Sequence, residues 1–147
     1  MTIRHLDKAF SPRSVALIGA SERAGSLGAL ILANIVAGGY GGAVFPVNPK
    51  YSRLSGHPCF ARVADLPEVP DLCVIATPAR TVPGLVEEIG QAGGRAVVVV
   101  TAGIGAKDGL RQRMLEAAGR HGVRIIGPNT IGILAPRIGL NASFTHI

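Results

Sequence analysis

The sequence predicts an α/β fold, three layers deep, on a mainly parallel sheet of five or more strands. Short runs rich in Val, Ile and Ala recur along the chain, and they lack the polar alternation of a half-exposed sheet. Stretches of helix-compatible composition separate most of them, the spacing of strand–helix–strand units with right-handed crossovers. Composition agrees: hydrophobic residues make up 48% and charged residues 16%, with 20 glycines available for turns.

Residues 14–20, SVALIGA, are the first strand, and residues 25–37, GSLGALILANIVA, are a helix that stops at Gly38-Gly39. Ala43–Val47 is the second strand, broken by Pro46 near its end and followed by the turn Asn48-Pro49-Lys50. Residues 52–70 carry Gly56, Pro58, Pro67 and Pro70 and read as a connection with one short helix over 60–66. Residues 72–76 are the third strand. Residues 82–92 are a helix with Pro83 in its first turn, where the missing N–H is harmless. Residues 96–101, AVVVVT, are the fourth strand, residues 107–121 a helix and residues 123–126 the fifth strand. After Gly127 the pattern lapses, and no element is expected there that closes the domain.

A chain of 147 residues suits one domain, here 1–147, with a sizeable core. Its formal charge of +6, from 15 Lys and Arg against 9 Asp and Glu, favours an anionic partner. Nucleic acid is not expected, because the arginines are scattered and no basic run is interleaved with aromatics. Residues 28–39 and 96–106, the longest apolar stretches, are too short or too broken by glycine to span a bilayer, and residues 1–13 have no apolar core for a secretory signal. The expected setting is cytoplasmic, without a membrane partner. Cys59 and Cys73 lack metal or redox spacing and read as reduced structural thiols.

The most informative motif is Gly19-Ala-Ser21-Glu-Arg-Ala-Gly25-Ser26-Leu27-Gly28, in which glycines follow a strand and open a helix. Such a turn brings backbone N–H groups and the positive end of a helix against an anion, with Ser21 and Ser26 adding hydroxyls. A pyrophosphate suits that place. The dinucleotide fingerprint G-x-G-x-x-G is not met, because Ser21 stands where its second glycine belongs. After the second strand, where an NAD site places an acid on the ribose, the chain has Asn48, Pro49 and Lys50. A cation there selects for an additional phosphate, the 3′ phosphate of coenzyme A or the 2′ phosphate of NADP; residue types alone do not separate the two.

Thr77 and Pro78 after the third strand, Ala102 and Gly103 after the fourth, and Asn129 after the fifth stand at carboxyl ends of strands, where open α/β sheets bind ligands. No catalytic set assembles. His5, His57, His121 and His146 have no acid at suggestive spacing, Glu87-Glu88 reads as a solvated helix face, and no metal cluster is visible.

With these motifs the sequence resembles the CoA-binding domain of the NDP-forming acyl-CoA synthetases, the superfamily of the succinyl-CoA ligase α subunit. The matching segments are SVALIGAS from Ser14, PVNPKY from Pro46, DLCVIATPA from Asp71, VVVVTAGI from Val97 and IIGPNTIGI from Ile125, in family order over nearly the whole chain. The resemblance implies a Rossmann-like fold and coenzyme A or acyl-CoA as ligand. Ser21, Gly25, Ser26 and Leu27 would meet its phosphates, and Asn48, Pro49 and Lys50 would sit at the nucleotide end. Thr77 and Pro78 would lie along the cofactor, with Ala102 and Gly103 near the pantetheine arm. Ala102 departs from the succinyl-CoA ligase branch, which has an acid there. The family's phosphorylated histidine belongs to the next domain, so the resemblance implies the N-terminal part of a longer multidomain protein, with further ligase or acetyltransferase domains as partners. The other readings are a CoA-sensing regulatory module, stand-alone or acetyltransferase-linked, and an NADP-binding domain.

Overall fold

A computed structural model describes residues 4–145. Five parallel strands, β1 (Ser14–Ile18), β2 (Ala43–Val47), β5 (Leu72–Ile75), β6 (Ala96–Val99) and β7 (Arg124–Ile126), form one sheet in the order β2-β1-β5-β6-β7. Strand residues alternate between two cores because successive side chains leave opposite faces of the sheet. Val15, Leu17, Leu72, Val74 and Val98 face α2 (Leu27–Ala37), meeting its Ile31, Leu32 and Ile35. Ala16, Ile18, Cys73, Ile75 and Val97 face α3 (Val82–Gln91) and α4 (Leu110–His121), meeting Val86, Ile89 and Met114. The three layers and the mainly parallel sheet are as the sequence predicts.

Chain order reverses between β1 and β5. The helix after β1 covers one face and the helix after β5 the other, so a crevice opens above the carboxyl ends of these two strands.

Several boundaries differ from expectation. Pro46 does not break β2, since β2 is an edge strand that tolerates a missing donor; Pro46 pairs with Leu17 and its carbonyl accepts the Phe60 N–H at 3.0 Å. In place of a helix over 60–66 there is only a 3-10 turn, Val63–Asp65, preceded by the small hairpin β3 (Arg53–Leu54) and β4 (His57–Pro58). The helix expected from 107 starts at Leu110, after Gly109 takes the left-handed conformation at φ 74°. A short α1 (Leu6–Phe10) precedes β1, held where Lys8 pairs with Asp71 at 3.1 Å.

The largest correction concerns the residues after Gly127. They form an antiparallel hairpin, β8 (Gly132–Ala135) and β9 (Leu140–Ser143), whose Ile133, Ala135, Leu140 and Ala142 join the α2-side core. Asn34 of α2 donates to the carbonyls of Ser143 and Thr145 at 2.8 and 2.9 Å and ties the hairpin to the helix. Each strand holds only two inward apolar residues, and the turn from Pro136 to Gly139 separates them, which hid the alternation. Among the described residues no helix is long and apolar enough to cross a membrane.

Candidate functional site

The turn from Gly19 to Gly28 is shaped first by packing. Gly19 has φ 94°, and a Cβ on Gly28 would lie 1.9 Å from the Gly19 carbonyl oxygen. The start of α2 therefore sits directly on the end of β1, closer than any other residue type allows. Ser26 is the N-cap of α2: its Oγ accepts the Ala29 N–H at 3.2 Å and donates to the Arg23 carbonyl at 2.8 Å. Ser21 Oγ accepts the Arg23 N–H at 2.9 Å and lies 3.4 Å from the Tyr51 hydroxyl. The serines order the turn, and the N–H groups of the first helical turn have no carbonyl partner within the helix.

Asn48 forms the opposite wall. Its Nδ2 donates to the Ala20 carbonyl at 2.8 Å and its Oδ1 accepts the Lys50 N–H at 2.9 Å, so one side chain binds the loop after β2 to the loop after β1. Lys50 and Arg23 are exposed and have no ion-pair partner among the described residues. At the end of β5, Thr77 Oγ1 is 2.7 Å from Thr81 Oγ1, while its carbonyl accepts from Thr101 Oγ1 at 2.7 Å.

Two cavities meet here. One, of about 470 Å³, is lined by Gly19, Ser21, Ser26, Leu27 and Gly28 on one side and by Asn48, Lys50, Thr77 and Pro78 on the other. The second, of about 320 Å³, shares Gly19, Asn48 and Thr77 with it and continues past Pro49 to Val63 and to Leu85 and Glu88 of α3. Both volumes fall in the ordinary range of small-molecule sites, roughly 300–1,000 Å³.

Ten of the residues singled out from sequence thus line these adjoining cavities, and Gly25 holds the turn between them and solvent at φ 80°. Ala102, Gly103 and Asn129 line neither. Ala102 and Gly103 are exposed beyond β6, and Asn129, in the left-handed conformation at φ 56°, donates its N–H to the Thr101 carbonyl at 3.0 Å. Arg23 and Tyr51 line the larger cavity without having been anticipated, although both lie inside the quoted motifs. Arg62, Leu85 and Glu88 line the smaller one, and no motif marked them.

Helices α3 and α4 correct the reading of the acidic pair. His121 has an acidic partner after all: its Nε2 donates to Glu87 Oε1 at 2.8 Å, and Arg120 reaches the other oxygen at 2.8 Å. Hydrogen bonds from His121 and then Arg120 pull the Glu87 carboxyl down to about 2. This cluster ties two helices together and lines neither cavity. Glu88 is not on a solvated face either. Both cysteines are free thiols, and burial in the sheet pushes Cys73 up to about 12.

Comparison with known proteins identifies the family of the domain. Residues 13–136 match the family described as "CoA binding domain". Acetate–CoA ligase [ADP-forming] I of Archaeoglobus fulgidus is 38% identical over 97% of the chain, which spans 21% of that protein. The α subunit of acetate–CoA ligase [ADP-forming] I of Pyrococcus furiosus is 36% identical over 95% of the chain, which spans 32% of it. A solved dinucleotide-forming acetyl-coenzyme A synthetase of Candidatus Korarchaeum cryptofilum, in complex with phosphate and ADP, superposes with a TM-score of 0.90 at 35% identity, over 95% of this chain and 30% of that one. The ordered motifs, the crevice at the reversal of strand order and these matches agree: the chain belongs to the CoA binding domain family, as the coenzyme A-binding domain found in the NDP-forming acyl-CoA synthetases.

Proposed function

We propose that the chain, folded as a single domain over 1–147, supplies the coenzyme A site of a larger cytoplasmic acyl-CoA ligase whose other domains carry the acyl and phosphoryl chemistry. The observation that carries this reading is the larger cavity, where the first N–H groups of α2, which the Ser26 cap on Ala29 does not engage, converge with Arg23 and Lys50, two cations without an ion-pair partner among the described residues. That is an anion site with room for a pyrophosphate and a further phosphate. The turn from Ser21 through Gly25, Ser26, Leu27 and Gly28 would hold the pyrophosphate, and Lys50 the 3′ phosphate beside Asn48 and Pro49. Thr77 and Pro78 would guide the chain of the cofactor toward Ala102, Gly103 and Asn129 on the neighbouring strand ends.

The residues described here bind and orient; the thiol of coenzyme A supplies the nucleophile when bound. Isothermal titration of the 147-residue chain tests the reading. Coenzyme A should bind and NADPH should not; heat from NADPH alone, with none from coenzyme A, overturns it.

A further inference from the structure

The smaller cavity contains one carboxylate oxygen without a hydrogen-bond partner among the described residues. Its walls are largely apolar, with Ile18, Val47, Pro49, Val63 and Leu85, but Glu88 of α3 also lines it. Among the described residues Glu88 Oε1 accepts no hydrogen bond, and this oxygen is shielded from solvent although the side chain as a whole is 27% exposed. The nearest cation, Arg62 Nε, is 3.8 Å away on a side chain that is 68% exposed, too distant to donate. Buried acceptors are nearly always satisfied, and one without a protein partner takes its donor from a water, an ion or a ligand. Gly19, Asn48 and Thr77 are common to both cavities, so a ligand anchored by its phosphates at α2 can extend between Asn48 and α3 into this apolar slot.

We propose that the smaller cavity takes the base of the bound nucleotide and that Glu88 Oε1 accepts a hydrogen bond from its exocyclic amino group, making Glu88 a determinant of base specificity. The inference rests on the coenzyme A reading above. A flat heterocycle between Pro49 and Leu85 fits the apolar walls, and an amino group supplies the donor that Glu88 lacks. Arg62, being exposed, can move aside without losing a hydrogen bond.

The test pairs coenzyme A with an analogue carrying unsubstituted purine in place of adenine, which removes only the amino group. The native chain should bind the analogue at least about 10-fold more weakly, the scale of a hydrogen bond to a charged group. Glu88→Ala should weaken coenzyme A by a similar factor and leave the analogue within about 2-fold. Glu88→Gln, which keeps an acceptor oxygen, should retain part of the preference. Equal affinity of the native chain for both ligands overturns the inference while leaving the coenzyme A site intact. So does a Glu88→Ala variant that weakens both equally or neither, for Glu88 would then serve only the fold or Arg62. Failure of coenzyme A to bind the native chain overturns both readings. The comparison on the native chain decides even where a variant does not fold.

Discussion

Lys50→Ala is the most discriminating perturbation of the proposed phosphate site. Lys50 is exposed, pairs with no acid among the described residues, and sits in a turn ordered through its backbone by Asn48, so removing its side chain breaks no ion pair among the described residues. A unit charge pair at 4 Å is worth about 1 kcal/mol in water and about 4 kcal/mol at a protein surface. Exposure puts Lys50 in the lower part of that range, about 1–2 kcal/mol, or a roughly 5–30-fold weaker Kd for coenzyme A. The assay is titration calorimetry of native and variant chains with coenzyme A and 3′-dephospho-coenzyme A at low salt. The variant should lose affinity for coenzyme A, change by less than about 2-fold for the dephospho form, and show a smaller difference as salt screens the pair. An equal loss for both ligands refutes the assignment of Lys50 to the 3′ phosphate.

Two further predictions concern stability. Gly28→Ala forces a Cβ to 1.9 Å from the Gly19 carbonyl oxygen and should cost about 3 kcal/mol, lowering Tm by roughly 6–12 °C. Gly25→Ala meets open space at φ 80° and should cost only about 1–2 kcal/mol, so a larger Tm loss for Gly25→Ala than for Gly28→Ala contradicts the packing account. Glu87 is held near 2 in the folded chain against an ordinary 4.5, so its contribution is complete above about pH 4.5 and disappears as pH falls toward 2. Glu87→Gln should therefore flatten the fall in stability between those values, and an acid-unfolding profile as steep as that of the native chain would count against the tie.

Much of the site was legible because strand-to-helix turns are local. The glycines of 19–28 announce a tight turn, and Lys50 stands in place of an acid on the cavity wall, each within a few residues of the strand that presents it. Glu88 was not legible. In the sequence it is one of two adjacent acids on an amphipathic helix, and only the packing of α3 beside the Val63 turn separates a carboxyl lining a cavity from one tied to His121 and Arg120. The hairpin after Gly127 escaped for a related reason. Its strands are too short to show a period, and they become strands because α2 offers Asn34 and an apolar face to cover.

The sequence by itself determined the α/β class, the order of the sheet-forming segments and the tight strand-to-helix turn at Gly19, because burial on both faces and backbone conformation are written in consecutive residues. Tertiary structure decided which of those residues converge. Ten line two joined cavities at the reversal between β1 and β5, whereas Ala102, Gly103 and Asn129 stand apart on strand ends outside them. Convergence depends on the sheet order and on which face each helix covers, and both are set by contacts between residues far apart in the chain.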